Sequence, residues 1–504
     1  MFDFCSKGLK CSISSRGLLL NTLTFIINKS FEPIEIIKPN KPFELIELFK
    51  LYLKMQKQVT IIGAGLVGSL LSIYLSKQGY KVNIYERRSD MREKTMIAGR
   101  SINLSLSDRG IKALEEVGLM EEIKKIAIPM HGRQLHHVDG TSGYQAYGKE
   151  GQFINSVSRG ELNCTLMNLA EKHNVQIHFN ERCDNINWKT NEIHFTNTEK
   201  NESHIVKQDL IFGSDGAFAA SRLTHQLQHD RFQYQQYYID FGYKELTIPA
   251  GANANFLMEK NALHIWPRGN YMLIALPNID GSFTCTLFFP FEGNPSFDSL
   301  DTPEKARSFF NEFFADASAM MPEFEKEFFN NSTSSLVTVR CSPWIREDKF
   351  ALIGDAAHAI VPFFGQGMNC GFEDCQVLNS LINKHNHDWS AILSEYQELR
   401  KPDGDAIATL ALNNFVEMRD KVADPQFILQ KKIEAHFSSK HPEKWTPAYS
   451  LVTFSPEVRY SEALSRGNAQ QAIMDEVMQT HNIAENWNSE MIENLMLEKI
   501  KYLN

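Results

Sequence analysis

The first sustained regularity in the chain begins at Gln58. Val59 to Ile62 is a short β-branched run, and Leu66 to Lys77 carries apolar residues at helical spacing. Gly79 closes that helix, and Lys81 to Tyr85 reads as a second strand. A strand, a crossover helix and a strand of these lengths predict a right-handed βαβ unit in a parallel sheet. From about Tyr234 to Pro290 the texture changes. HIWPRGNYMLIALPNIDGSFTCTLFF is a set of aromatic-rich strands cut by Pro-Arg-Gly-Asn and Pro-Asn-Ile-Asp-Gly turns, the pattern of an antiparallel meander. After Asp355 helical spacing dominates and recurs in Ala406 to Met418 and Phe427 to Phe437. The class is therefore α/β, with no internal repeat and no low-complexity tract.

Composition narrows the function. The 504 residues exceed one ordinary module, and 61 acids against 52 bases leave a net charge of -9. That excludes a general nucleic-acid binder, which would show a basic surplus. No run approaches the ~20 apolar residues of a membrane helix. The eight cysteines include no C-x-x-C pair, which fits a reducing compartment without a disulfide frame or zinc site. His131, His136 and His137 lie close together without ligand-spaced partners, so no metal is expected. The first 54 residues differ from the rest. Gly17 to Asn28 (GLLLNTLTFIIN) has the length of a signal-peptide core but no cleavage pattern follows, so Met55 is expected to be the working start. The other end, Glu493 to Asn504, is short and charged, which predicts a cytoplasmic protein with no membrane anchor.

The chemistry starts at Gly63, Gly65 and Gly68, a G-x-G-x-x-G between the first strand and its helix. Gly63 permits the tight turn, Gly65 lets the backbone approach a pyrophosphate, and Gly68 lets helix and strand pack closely. Glu86 ends the next strand, placed to hold a ribose hydroxyl. The loop itself does not distinguish NAD from FAD. Two later segments do. In DLIFGSDGAFAASR an apolar strand delivers Asp215, and in ALIGDAAHAIVPFFGQGMNCGFED another delivers Asp355 before Gly365-Gln366-Gly367-Met368-Asn369 opens a helix. A carboxylate at such a strand end can accept from a ribityl hydroxyl. The glycine-bounded helix start can set N–H groups against the electron-rich side of a flavin.

With these three segments the chain resembles the single-component flavoprotein aromatic monooxygenases. AGRSINLSLSDRG, GYKEL, NALHIWPRGNYMLIALPN and NNFVEMRDKV narrow the resemblance to the kynurenine 3-monooxygenases, over about Gln58 to Arg466. The resemblance implies FAD-dependent hydroxylation of L-kynurenine to 3-hydroxykynurenine with NADPH and O2, through a C4a-hydroperoxyflavin, in tryptophan degradation and quinolinate/NAD biosynthesis. No protein acid or base is then required, because the substrate's own amino group activates its ring.

The implied fold is a discontinuous Rossmann-like FAD-binding domain (55–230 and 341–385). It carries an inserted antiparallel substrate-binding sheet (231–340) and a helical C-terminal region (386–504) over the substrate. A substrate-site segment falls near 131–150. The resemblance also implies substrate contacts from Arg133, Tyr147, Asn414 (or Asn413, one register away) and Tyr449. Phe363 and Phe364 read equally as an apolar wall for the ring or as packing beneath the loop. Implied cofactor residues are Gly63, Gly65, Val67, Gly68, Glu86, Arg87, Arg88, Arg100, Ser105, Arg159, Asp215, Asp355, Gly367, Met368 and Asn369. Two other functions stay open: a flavin hydroxylase of another aromatic acid, and a non-catalytic flavin-binding module. Oligomeric state is not legible.

Overall fold

The computed structural model describes residues 57–93, 102–149, 151–417 and 424–501. The expectations for residues 1–54, Met55 and Arg100 lie outside these residues.

A six-stranded sheet runs in the order Ile345–Arg346, Phe350–Leu352, Ile211–Gly213, Gln58–Ile62, Lys81–Tyr85, Gln176–His178. All neighbours pair in parallel except the antiparallel edge strand Ile345–Arg346. Three of its central strands come from distant parts of the chain, yet they lie side by side and point the same way. Gly63, Gly213 to Asp215, and Gly354 to Asp355 therefore meet along one sheet edge, the carboxyl end, where ligands of open α/β sheets bind. Helix Leu66–Lys77 buries Leu70, Leu71, Ile73 and Leu75 against this sheet. The approach is close enough to require glycine. Gly63 has φ 103°, and a Cβ there would lie 2.6 Å from the Ser214 carbonyl oxygen. A Cβ on Gly68 would lie 2.1 Å from the Gly63 carbonyl oxygen.

The second large sheet has seven strands, ordered Ser334–Ser342, Gln233–Ile248, Phe283–Pro290, Tyr271–Pro277, Ala262–Arg268, Gly132–His136, Ser142–Ala146. The meander predicted from the aromatic runs is present, but the sheet is not built from that segment alone. Its last two strands come from 132–146, and Gly132–His136 pairs in parallel with Ala262–Arg268. The first is short and half-buried and the second short and mostly exposed, so no hydrophobic alternation marked them. One face of the sheet packs on helices Pro303–Phe313 and Phe324–Asn330 through Phe309, Phe310, Phe324 and Phe328. The other face borders the cavity described below. Two three-stranded sheets complete the β structure among the described residues.

The C-terminal part is helical: Gly367–Lys384, Trp389–Val416, Pro425–Lys440, Ala448–Phe454, Tyr460–Val477 and Glu490–Ile500. Its last helices have a core of their own around Ile433, Phe437, Trp445, Met474 and Val477. Among the described residues no helix is long and apolar enough to cross a membrane. The six described cysteines are all free thiols.

Candidate active site

A cavity of about 520 Å³ lies between the carboxyl edge of the parallel sheet and the open face of the seven-stranded sheet. It is wide enough for an aromatic amino acid beside a flavin ring. Gly65, Leu66, Val67, Ser105, Arg159, Asp355, Gly367 and Met368 line one side. Arg133, Tyr147, Phe363, Phe364, Asn414 and Tyr449 line the other. Residues from widely separated segments thus converge on one space.

Strand pairing places Arg133. Its strand is held between Ala262–Arg268 and Ser142–Ala146, so the guanidinium projects from the sheet into the cavity. Tyr147 follows the edge strand, and Tyr449 comes from helix Ala448–Phe454. The Arg133 Cζ lies 4.5 Å from the Tyr449 ring centre and 5.0 Å from that of Tyr147. The two rings are nearly parallel, 6.2 Å apart. Burial would by itself depress the guanidinium's pKa, but the phenols of Tyr449 and Tyr147 outweigh it and hold the pKa up. Burial pushes the Tyr147 phenol up in turn. Among the described residues no carboxylate pairs with Arg133. A half-buried cation thus lies beside two phenols, with no counter-charge supplied by the described residues.

The aromatic pair packs beneath the loop and also lines the cavity. Phe364 stacks on Tyr449 with centroids 5.4 Å apart, and Phe363 packs on Phe415 at 4.6 Å and Phe288 at 5.0 Å. Both belong to the core beneath the loop and both line the cavity. Asn414 lines the cavity and donates through Nδ2 to the Phe363 carbonyl at 2.6 Å, while Asn413 is exposed.

On the nucleotide side, a Cβ on Gly65 would meet no protein atom within 4 Å, so that position opens onto free space at a helix start. Gly367 begins helix Gly367–Lys384 at the cavity wall. Several predicted residues stand behind the wall instead. Gly63 and Gly68 form the turn. Asn369 ties the strand end at Ser105 and Ser107 to the Gly365 turn, accepting from the Ser107 N–H at 3.0 Å and donating to the Ser105 and Gly365 carbonyls. Glu86 accepts from the Ala64 N–H at 2.9 Å and from Arg88 Nε at 2.7 Å. Burial alone would raise its pKa, but its bonds to Arg88 outweigh that and lower it. Arg87 and Arg88 are exposed. Asp215 is not brought into the cavity. Its two oxygens accept from the Ser221 N–H at 2.9 Å and Oγ at 2.5 Å, so it caps the next helix.

Sequence reasoning missed the apolar floor supplied by Leu263, Ile274 and Phe288, together with Tyr243 and Thr286. Strand alternation in GYKEL and in YMLIALP was the available signal. It also missed Glu245, whose carboxyl is pushed up to about 7 by burial, against the pull of Arg159. A third omission is a buried set of His358, Cys370 and Asp374 with metal-type ligand atoms. Arg400 stands among them, donating through Nε to Asp374 at 2.7 Å and through Nη2 to the Cys370 sulfur at 3.3 Å.

The comparisons with known proteins decide the family. An FAD binding domain model matches residues 56–411. The kynurenine 3-monooxygenase of Flavobacterium johnsoniae is 50% identical over 445 residues, covering 88% of this chain and 99% of that protein. That of Christiangramia forsetii is 49% identical over 451 residues, covering 89% of this chain and all of that protein. The chain belongs to the kynurenine 3-monooxygenase family. Among solved structures, 2-methyl-3-hydroxypyridine-5-carboxylic acid oxygenase superposes with a TM-score of 0.61 at 18% identity, covering 74% of this chain and 95% of that one. At that identity the likeness speaks to fold, and it agrees with the α/β flavoprotein architecture described above.

Proposed function

We propose that the protein hydroxylates L-kynurenine to 3-hydroxykynurenine, with FAD as bound cofactor and NADPH and O2 as co-substrates. Family membership supports the reaction. The observation that carries the substrate is Arg133, a half-buried guanidinium flanked by two phenols in the wall of an apolar cavity.

The residues present fit FAD. Gly65 leaves space where a pyrophosphate would approach a helix N-terminus, and Gly367 and Met368 start a second helix at the same side of the cavity. When bound, FAD supplies electron transfer from NADPH and activation of O2. The protein's own tasks are binding, orientation and exclusion of water. Arg133 takes the substrate carboxylate by its fork, with the Tyr147 and Tyr449 hydroxyls beside it. Phe363, Phe364 and Phe288 hold the aniline ring and keep water away. Asn414 fixes the Phe363 carbonyl and so the aromatic pair. An aniline ring is activated by its own nitrogen, so no carboxylate or histidine base is needed at the ring. Six free thiols and the need for NADPH agree with a cytoplasmic enzyme.

NADPH oxidation measured with and without L-kynurenine, with the product identified, tests this reading. Stimulation with 3-hydroxykynurenine as product is expected. Stimulation by a different aromatic acid alone would reassign the substrate. Yellow protein that consumes no O2 with NADPH and any aromatic compound would make it a non-catalytic flavin binder.

A further inference from the structure

Tyr449 sits on a short helix whose inner residues, Leu451 to Phe454, are buried. Ala448–Phe454 is seven residues long and has no side-chain N-cap. Its carboxyl end is closed by Arg109, which reaches it from helix Asp108–Glu116, and Ser455 Oγ adds one bond, to the Ser450 carbonyl at 3.4 Å. Arg109 Nε donates to the Val452 carbonyl at 2.7 Å, and Nη2 donates to the carbonyls of Leu451 at 3.3 Å, Ser455 at 3.2 Å and Val458. The guanidinium lies 4.1 Å over the Tyr460 ring and is 1% exposed. A cation among the last carbonyls of a helix satisfies orphan acceptors and opposes the helix dipole.

The other side of the same guanidinium faces the flavin-side helix. Nη1 donates to Glu373 Oε1 at 2.7 Å, on helix Gly367–Lys384, whose first residues line the cavity. Glu373 Oε2 is held by Arg400 at 2.6 Å, Arg400 holds Asp374 at 2.7 Å, and Asp374 accepts from the Gly354 N–H at 3.1 Å. One buried arginine therefore ties the helix that presents Tyr449 to the helix and turn on the nucleotide side of the cavity.

We propose that Arg109 is a positioning residue for the reaction. By clamping Ala448–Phe454 to Gly367–Lys384 it sets Tyr449 against Arg133, and so governs how tightly the substrate carboxylate is held and how well oxygen use is coupled to product. The proposal rests on the assignment of the cavity to kynurenine. Lysine cannot replace it: five acceptors surround a planar fork, whereas an ammonium offers three donors from one point.

The test uses FAD-loaded full-length protein carrying Arg109→Lys, with Arg109→Met as the more severe variant. Hydrogen exchange should quicken about tenfold or more in residues 448–458 and stay unchanged in the nucleotide core at 57–85. KM for kynurenine should rise about tenfold with kcat within about threefold, and more of the NADPH consumed should appear as hydrogen peroxide. Tyr449→Phe combined with Arg109→Lys should bind kynurenine no more weakly than the weaker single variant, since coupled positions are not additive. Unchanged exchange at 448–458, exchange quickened uniformly along the chain, or additive losses would each overturn the proposal. Wild-type protein indifferent to kynurenine would instead overturn the substrate assignment, and the exchange measurement would still decide the clamp.

Discussion

Replacing Arg133 tests the substrate assignment most directly, because its outcome can be worked from its surroundings. No carboxylate among the described residues pairs with it, so Arg133→Met leaves no described acid unpartnered and the fold should stand. What is lost is the site for a substrate carboxylate. Truncating one partner of a buried hydrogen-bonded charge pair costs ~2–5 kcal/mol, and ~3 kcal/mol corresponds to roughly 150-fold in affinity. Arg133→Lys keeps the charge but loses the fork, which should cost about tenfold. Titrating kynurenine into the oxidised protein and following flavin absorbance measures both, and the retained yellow colour reports FAD directly. The same titration with the decarboxylated amine of kynurenine closes the cycle: wild type and Arg133→Met should bind it equally. If Arg133→Met binds kynurenine as wild type does, or if it weakens the amine as much as the amino acid, Arg133 does not hold the carboxylate.

Three further outcomes follow from the geometry. Gly65→Leu should fold with near-wild-type stability yet purify colourless, because its side chain enters space no protein atom occupies, whereas Gly68→Ala should lower the melting temperature because its Cβ would meet the Gly63 carbonyl at 2.1 Å; yellow Gly65→Leu protein would refute the loop's role. Phe364→Ala removes the ring stacked on Tyr449 and opens the cavity wall, so peroxide formed per NADPH should rise several-fold with FAD retained, and unchanged coupling would show that the ring only packs. His264 is 1% exposed, and burial, aided by His136, lowers its pKa from 6.5 to about 4. It is neutral when folded and protonates more readily when unfolded, so stability is lost as pH falls from 6.5 towards 4, by up to ~3 kcal/mol. Thermal melts of wild type and His264→Phe across that range should show a shallower slope in the variant; parallel slopes would exclude His264 as the source.

The parallel sheet was legible because each of its central strands ends in a glycine-acid or glycine-rich turn whose composition has a steric reason. Gly63 sits at φ 103° against the Ser214 backbone, and no other residue fits there comfortably. The strands at 132–146 were not legible as part of the substrate sheet. They are short, the first half-buried and the second mostly exposed, and the first pairs in parallel with a strand 130 positions later (Gly132 with Ala262), a pairing no local pattern encodes. The cavity residues divide in the same way. Arg133, Tyr147, Asn414 and Tyr449 stood out through segment resemblance. Tyr243, Thr286 and Phe288 looked like ordinary strand residues, because a cavity face and a core face share one alternation.

The acids show why residue type and position did not suffice. Asp215 and Asp355 both follow apolar strands of the same sheet, and nothing local separates them. Asp355 lines the cavity, whereas both oxygens of Asp215 are taken by Ser221 six residues on. The same limit hid the charges beneath the site. Arg109, Glu373, Arg400 and Asp403 each lie on a helix where a charge ordinarily faces water, yet all four are buried together. Their pairing also bears on His358, Cys370 and Asp374, a ligand set that would suit a cation. Arg400 already places its guanidinium against Asp374 and the Cys370 sulfur, and His358 donates to the other Asp374 oxygen at 2.7 Å. A metal ion there would have to displace a buried arginine and strand its charge, a change of several kcal/mol in the wrong direction. The buried charge thus serves the scaffold that holds the nucleotide turn and the Tyr449 helix. The cavity is walled mainly by aliphatic and aromatic side chains, with Arg133 as the proposed anchor for a carboxylate, as expected where the cofactor performs the oxidation.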